Sequence, residues 1–163
     1  MKIKLLISGM LLFTGLLGVQ GQSVQKVKIT DVEKMIADAK DSIVVVNFWA
    51  TFCKPCNAEL PFMHSVVKKY ETNKIKFLLV SIDLPSFFPD KIDAFVKKSN
   101  YTAPVVWLNE TNADYYCPKI DPKWYGSIPA TLIVNNRTGY RKFMEKEFKQ
   151  EEFDTELRLA IGL

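Results

Sequence analysis

Two long apolar runs, residues 42–50 and 75–82, stand out in the pattern of hydrophobic and polar positions. Both are nearly continuous rather than alternating, and the first is rich in β-branched residues, which is typical of parallel strands that are covered on both faces. Shorter runs predict further strands at residues 24–29, 103–108, 130–134 and 140–148. Residues 135–139 between the last two have the composition of a hairpin turn.

Helical periodicity separates these strands. It predicts helices over about residues 30–40, 53–70 and 89–98, and a last helix that carries Phe153 and Leu157 on its apolar stripe. Thr30 and Glu33 fit a capping box at the start of the first helix. Residues 109–127 are predicted to be irregular. The alternation of strands and helices predicts an α/β domain around a mixed β-sheet.

Composition narrows the class of protein. A chain of 163 residues with 48% hydrophobic and 25% charged residues has room for one ordinary globular domain. Its net charge is +4. Without the two lysines of residues 1–21 the chain has 20 basic and 18 acidic residues, a net charge of +2. So small a charge does not favour a nucleic-acid partner.

Residues 1–21 have the features of a secretory signal peptide. Lys2 and Lys4 precede the apolar residues 5–19, and small residues at Val19 and Gly21 predict cleavage before the next residue. The mature protein is then a single domain, residues 22–163, in the periplasm or elsewhere outside the cytoplasm. The apolar run is short for a membrane helix, so we expect no membrane span after cleavage. An uncleaved N-terminal anchor is the alternative.

Cys53-Lys54-Pro55-Cys56 follows the first long apolar run and opens the next predicted helix. Cysteines three residues apart at a helix start share one face, so their sulfurs can form a disulfide. The helix dipole and unpaired N–H groups lower the pKa of the first thiol, and Lys54 adds a positive charge. Pro55 fits the first turn, where its missing N–H costs nothing. We predict Cys53 as the nucleophile and Cys56 as the resolving thiol.

Paired cysteines also occur in zinc and haem sites. Zinc needs four ligands, and the chain adds only Cys117 and His64 to the pair. His64 lies about 12 Å beyond Cys56 along the same predicted helix. Haem attachment requires a histidine directly after the second cysteine, where this chain has Asn57. The sequence therefore favours a redox pair that needs neither a metal nor a cofactor.

Three motifs resemble one family. Residues 48–56 (FWATFCKPC) resemble the active site of the thioredoxin fold, FWAxWCxxC, with Phe52 at the usual tryptophan position. Residues 56–61 (CNAELP) and 126–131 (GSIPAT) resemble the CxxExP and GxxPxT segments of its extracytoplasmic TlpA/ResA-like branch. The resemblance spans roughly residues 27–162. It implies a thioredoxin fold, in which helices flank a central mixed sheet on both faces.

The resemblance implies a thiol-disulfide oxidoreductase that acts on proteins carrying a disulfide or a dithiol. The Cys53 thiolate would attack the partner's disulfide, and Cys56 would release the resulting mixed disulfide. We expect the reducing direction, with electrons supplied by a membrane protein. An oxidase or isomerase of the DsbA type is the main alternative.

The same resemblance implies a substrate groove. Pro129 occupies the cis-proline position, where the backbone of Ile128 could pair with an extended substrate as an added strand. Trp49 is expected to line this groove, together with Trp124 and Tyr125. Ordinary packing in the core or in a loop is the alternative for the last two.

Glu59 is a candidate for proton transfer. Cys56 must lose a proton to resolve the mixed disulfide, and Asn47 stands where thioredoxins commonly carry a buried acid. Glu59 lies one turn beyond Cys56 on the same helical face, where burial would raise its pKa and let it accept or relay that proton. It also matches the glutamate of the CxxExP motif. A purely structural role near the helix start is the alternative.

Two other functions are less consistent with the sequence. The peroxiredoxin active site resembles the motif P-x-x-x-[ST]-x-x-C. This chain has Val46 at the proline position of that motif and Ala50 at the serine or threonine position. A binding adaptor or copper chaperone is opposed by the intact cysteine pair and by the lack of a second histidine. We expect Cys117 to be partly buried and inert, and His64 to be structural.

Overall fold

A six-stranded mixed sheet forms the centre of the computed structural model, which describes residues 23–163. The predicted signal peptide, residues 1–21, lies outside this range. The strands are β1 (Gln25–Val27), β2 (Ile43–Trp49), β3 (Ile75–Ser81), β4 (Val105–Leu108), β5 (Ala130–Asn135) and β6 (Tyr140–Met144). Their spatial order is β1-β4-β3-β2-β5-β6. The first four in that order are parallel, whereas β5 is antiparallel to β2 and β6 to β5. The predicted mixed sheet is confirmed.

Helices cover both faces of this sheet. They are α1 (Ile29–Asp38), α2 (Lys54–Lys69), α3 (Asp90–Ser99), α4 (Ala113–Ile120) and α5 (Gln150–Ile161). The apolar side chains of α2, α3 and α5 share one core cluster, and those of α1 and α4 share another. In β2, Val45 and Trp49 belong to the first cluster, and Val46 and Phe48 to the second. The strand is apolar at every position except Asn47 because both of its sides are buried.

Helix α4 corrects the prediction that residues 109–127 are irregular. The side chain of Asn112 caps this helix by accepting a hydrogen bond from the Asp114 N–H at 3.0 Å. Tyr116, Cys117 and Ile120 then pack against the sheet. Pro118 lies inside the helix and removes one backbone donor. Burial of the apolar face of α4 stabilises the helix by more than that loss costs. Such burial cannot be recognised from the local sequence pattern.

Several element ends also differ from the predicted bounds by a few residues, and two of them have a clear local cause. Helix α1 begins at Ile29, after Lys28, whose N–H donates to Asp31 at 2.8 Å, so the predicted capping box at Thr30 is wrong. Strand β6 ends at Met144 rather than at residue 148. The N–H of Phe148 instead donates to the Glu59 carboxylate, so a partner on α2 replaces the sheet ladder there.

Candidate active site

The redox pair lies where β2 turns into α2. Cys53 and Cys56 are joined by a disulfide. Cys53 is the N-cap of α2, and its Sγ accepts a hydrogen bond from the Cys56 N–H at 3.3 Å. Its own N–H donates to Ala50 O at 3.0 Å, which closes the turn after β2. Cys53 is 7% exposed and Cys56 is 0% exposed, so Cys53 is the more accessible of the two cysteines.

The start of α2 presents a hydrogen-bond donor to the Cys53 sulfur. A helix N-terminus presents unpaired N–H groups and partial positive charge, and here the Cys56 N–H points at the Cys53 sulfur. Lys54 is exposed in the first turn, and Pro55 occupies a position where the helix does not need its N–H. The contribution of Lys54 and Pro55 to thiol acidity stays a prediction.

Glu59 is fully buried one turn beyond Cys56, on the side of α2 that faces the sheet. Its carboxylate accepts a hydrogen bond from Asn47 Nδ2 at 2.8 Å and another from the Phe148 N–H at 2.8 Å. Asn47 Nδ2 also donates to the hydroxyl of Thr131 at 3.0 Å, its partner in the register of β2 and β5. Burial raises the pKa of Glu59 to about 7, although both hydrogen bonds to the carboxylate oppose that shift. Glu59 is therefore an acid poised to exchange a proton near neutral pH. Its role in catalysis stays a prediction.

The segment before β5 reaches the same end of the sheet. Ala130 pairs with Phe48 near the end of β2, so Pro129 lies at the edge where the chain runs on towards Cys53. The Ile128–Pro129 bond is cis, as predicted. A second cis bond, Phe88–Pro89, was not predicted. Substrate binding by Ile128 and Pro129 stays a prediction.

Glu145 supports the loop that leads to this proline. Its carboxylate accepts hydrogen bonds from the Ser127 N–H at 2.8 Å and from the Tyr125 N–H at 3.3 Å. Gly126 between them has φ +94°, a conformation that disfavours other residues. Sequence reasoning missed Glu145 because 18 and 20 residues separate it from the N–H groups that it binds.

The aromatic residues near the site correct one part of the prediction. Trp49 is fully buried and packs against Phe95 and Tyr101, so it does not line a surface groove. Its position in β2 turns it into the core beneath α2 and α3. Trp124 is likewise buried, whereas Tyr125 is exposed.

The exposed aromatic beside the nucleophile is Phe52, which the prediction did not single out. It is 60% exposed and contacts Phe87 edge-to-face, with 6.3 Å between ring centroids. The signal was its place directly before Cys53, where the family usually has tryptophan.

The third cysteine, Cys117, is not part of the disulfide. Cys117 is buried within α4, on the other face of the sheet. Burial raises the pKa of its thiol to about 11, and the charges of Glu145 and Asp114 add to the shift. The predicted burial of this thiol is confirmed.

His64 is half-buried on α2 and stacks on Tyr101 with 5.0 Å between ring centroids. Its Nδ1 lies 2.8 Å from Leu60 O. Burial lowers the pKa of its imidazole, so the ring is neutral at pH 7. This environment is consistent with a structural residue.

Residues 23–163 contain neither a candidate metal cluster nor a candidate membrane-spanning helix. No group of three or more histidine, cysteine, aspartate or glutamate side chains is arranged to hold a metal ion in this part of the chain. None of the helices described there combines the length and the apolar character that a membrane crossing needs.

The family follows from the sequence match. The characteristic sequence of the AhpC/TSA family matches residues 19–139. The chain belongs to the AhpC/TSA family. Among curated relatives, the thiol-disulfide oxidoreductase ResA of Geobacillus thermodenitrificans is 23% identical over 125 residues, which cover 77% of this chain and 67% of that protein.

Solved structures agree with the fold. A thiol:disulfide interchange protein of the thioredoxin family from Chlorobium tepidum superposes with a TM-score of 0.62 at 20% identity, covering 77% of this chain and 84% of that one. A secreted disulfide oxidoreductase of Mycobacterium tuberculosis superposes with a TM-score of 0.57 at 18% identity, covering 76% and 85%. This member of the AhpC/TSA family therefore has a thioredoxin fold. With its CxxC disulfide, it is a thioredoxin-like thiol-disulfide oxidoreductase.

Proposed function

We propose that this thioredoxin-like protein is an exported thiol-disulfide reductase of other proteins. The observation that carries the proposal is the asymmetry of the redox pair. Cys53 is 7% exposed at the N-terminus of α2, whereas Cys56 is 0% exposed one turn deeper. Such an arrangement suits one thiol for attack on a partner and the other for release of that partner.

The reaction moves two electrons from the dithiol to the partner's disulfide. The Cys53 thiolate attacks one partner sulfur, a mixed disulfide forms, and the other partner sulfur leaves as a thiolate. The Cys56 thiolate then attacks Cys53 Sγ, which expels the second partner sulfur. The partner is left with two thiols and this chain with the Cys53–Cys56 disulfide.

Glu59 is the proposed acceptor of the Cys56 proton. A buried thiol is a poor acid, so resolution is slow unless a nearby base removes its proton. Glu59 shares the inner face of α2 with Cys56, and its pKa of about 7 makes it a usable base at neutral pH. The protonated carboxyl can return the proton to Cys56 when the disulfide is reduced again.

The substrate is proposed to lie across the edge formed by the turn before Cys53 and the segment before β5. Ile128 would offer its backbone to an extended strand of the partner, with Pro129 against the sulfurs. Exposed Phe52, rather than buried Trp49, would supply apolar contact next to the reacting sulfur.

The site of action is proposed to be the periplasm or another compartment outside the cytoplasm. Support comes from the signal-like residues 1–21. Each reduction leaves this chain oxidised, and an oxidising compartment does not regenerate a dithiol. A membrane protein that carries electrons across from the cytoplasm would meet that need.

The equilibrium potential of the Cys53/Cys56 couple tests the direction. The protein would be equilibrated with glutathione or dithiothreitol buffers, and its dithiol fraction measured by alkylation and mass spectrometry. A Cys117→Ser variant is the control, because its only remaining thiols are those of the Cys53/Cys56 couple. We expect a potential of about −270 mV or lower, as in reductases, whereas a value near about −120 mV would identify an oxidase.

A further inference from the structure

A second buried carboxylate lies close to the redox pair and has no part in the proposed reaction. Asp83 follows β3 and is 3% exposed. Its two carboxylate oxygens lie 3.1 and 3.0 Å from the Thr51 N–H. Oδ1 also accepts from the Thr51 hydroxyl at 2.6 Å, and Oδ2 accepts from the Ser81 hydroxyl at 2.7 Å. Two of its three donors thus belong to one residue, Thr51.

Thr51 lies in the turn between β2 and α2, two residues before the nucleophile. Its carbonyl oxygen accepts a hydrogen bond from Asn57 Nδ2 at 2.9 Å, which ties the same residue to α2. The Cys53 N–H donates a hydrogen bond to Ala50 O across this turn. The position of Cys53 relative to the start of α2 therefore depends on the position of Thr51.

The backbone of Asp83 is itself hydrogen-bonded on both sides. Its N–H donates to the Ser81 hydroxyl at 3.1 Å, and its carbonyl oxygen accepts from Trp107 Nε1 at 2.8 Å. None of the ion pairs found among residues 23–163 includes Asp83. A buried carboxylate is costly unless its oxygens are hydrogen-bonded, and here those bonds hold the turn of the active site.

We propose that Asp83 is a positioning residue for thiol-disulfide exchange. By holding Thr51 it fixes residues 50–53 so that the Cys56 N–H points at Cys53 Sγ. The inference rests on the proposed function in that Cys53 is the reacting thiol. Asp83 does not touch the substrate, and it acts through Thr51 on the sulfur that does.

A positioning role and a purely electrostatic role of Asp83 predict opposite changes in the pKa of the Cys53 thiol. Removing a negative charge alone would stabilise the Cys53 thiolate and lower the pKa of that thiol. Releasing the turn would weaken the hydrogen bond from the Cys56 N–H and raise that pKa. The direction of the change therefore separates a positioning role from a purely electrostatic one, and a merely structural role would move neither pKa nor rate.

The test compares Asp83→Ala with Asp83→Asn in the reduced protein. The rate of Cys53 alkylation by iodoacetamide would be measured against pH, together with the exchange rate on a disulfide substrate. We expect Asp83→Ala to raise the midpoint of the alkylation profile and to slow exchange about tenfold, because the turn is no longer fixed. Asp83→Asn keeps an acceptor oxygen for Thr51 and is expected to retain exchange to within about threefold.

Asp154→Ala is the matched control for lost stability. Asp154 also accepts hydrogen bonds, from Lys69 Nζ at 2.8 Å and from the Tyr70 hydroxyl at 3.1 Å. These partners lie at the far end of α2, about 20 Å along the helix axis from Cys56. We expect this variant to lose stability without a change in the alkylation profile.

Two outcomes would overturn the proposal. One is a lowered midpoint in both Asp83 variants, and the other is a profile and exchange rate of Asp83→Ala that match Asp154→Ala. If Asp83→Ala does not fold, Thr51→Val decides instead. It removes only the hydroxyl bond to Asp83, so it should raise the midpoint and slow exchange about threefold, and an unchanged profile overturns the proposal.

This design also separates the inference from the proposed function. Wild-type protein that fails to reduce any protein disulfide would count against a reductase. The alkylation profiles of the same variants would still show whether Asp83 positions Cys53.

Discussion

The two faces of the central sheet bury cysteines in opposite chemical settings. Beneath α2, the redox pair lies beside a hydrogen-bonded network of Glu59, Asn47 and Thr131. On the face covered by α1 and α4, Cys117 of α4 shares a core cluster with apolar side chains of α1 and the sheet. One face therefore holds groups that can carry electrons and protons, whereas the other supports the fold.

Position within the helix predicts that cysteines on the two faces differ in reactivity. Cys53 caps α2 and accepts an N–H from its first turn. Cys117 lies in the interior of α4, where the nearby N–H groups are used within the helix. Burial raises the pKa of its thiol to about 11. We therefore expect Cys53, at the helix end, to be more reactive than Cys117 in the helix interior.

Substituting each cysteine in turn is the strongest test of this contrast. We expect Cys53→Ser to lower thiol-disulfide exchange by more than about 10³-fold, because the nucleophile is lost. Cys56→Ser should instead trap partners as mixed disulfides, visible on non-reducing gels. Cys117→Ser is the control and should exchange at the wild-type rate. If Cys53→Ser trapped partners as well as Cys56→Ser does, the assigned roles would be reversed.

Alkylation of the reduced, folded protein compares the two faces directly. With a pKa of about 11, only about 10⁻⁴ of Cys117 is thiolate at pH 7. We expect Cys53 to be labelled more than about 100-fold faster, measured for each peptide by mass spectrometry. Labelling in denaturant is the control, since unfolding should bring the rates together. Similar rates in the folded state would contradict the contrast.

The stability of the protein should depend on the charge of Glu59. Burial raises its pKa from 4.5 to about 7, so the folded state favours the protonated carboxyl. The stabilisation is complete below pH 4.5 and is lost as the pH rises through about 7. Relative to Glu59→Gln, wild type should lose up to about 3 kcal/mol of unfolding free energy across this range. Urea titrations at a series of pH values would measure the loss.

Glu151→Gln is the control for that measurement because Glu151 is exposed on α5. Its difference from wild type should stay flat over the same pH range. A flat difference for Glu59→Gln as well would mean that Glu59 titrates as an ordinary exposed acid.

The exchange rate should respond to Glu59 more modestly. We expect Glu59→Gln to slow exchange about tenfold and to remove an inflection near pH 7, since an amide cannot accept the Cys56 proton. The amide remains compatible with the site. Its oxygen can accept from Phe148, and its nitrogen can donate to the oxygen of a reoriented Asn47 side chain. Stopped-flow measurements from pH 5 to 9 would check this, and an unchanged rate and profile would leave Glu59 structural.

The strands and the redox pair could be predicted because their signals are local. The apolar runs of β2 and β3 follow from burial on both faces of a parallel sheet, and the CxxC spacing places two sulfurs on one helix start. The helix α4 escaped prediction because Pro118 reads as a helix breaker. Packing of Tyr116 and Ile120 on the sheet outweighs that local cost.

The sequence by itself determined the α/β class, the identity of the redox pair and the candidacy of Glu59. Only the tertiary structure decided that Phe148, 89 residues away, binds Glu59, that Asp83 holds the turn before Cys53, and that Trp49 is buried. The reason is physical. Helix starts and buried strands produce local sequence patterns. The hydrogen-bond partner of a buried carboxylate instead depends on which distant segments the sheet register brings together.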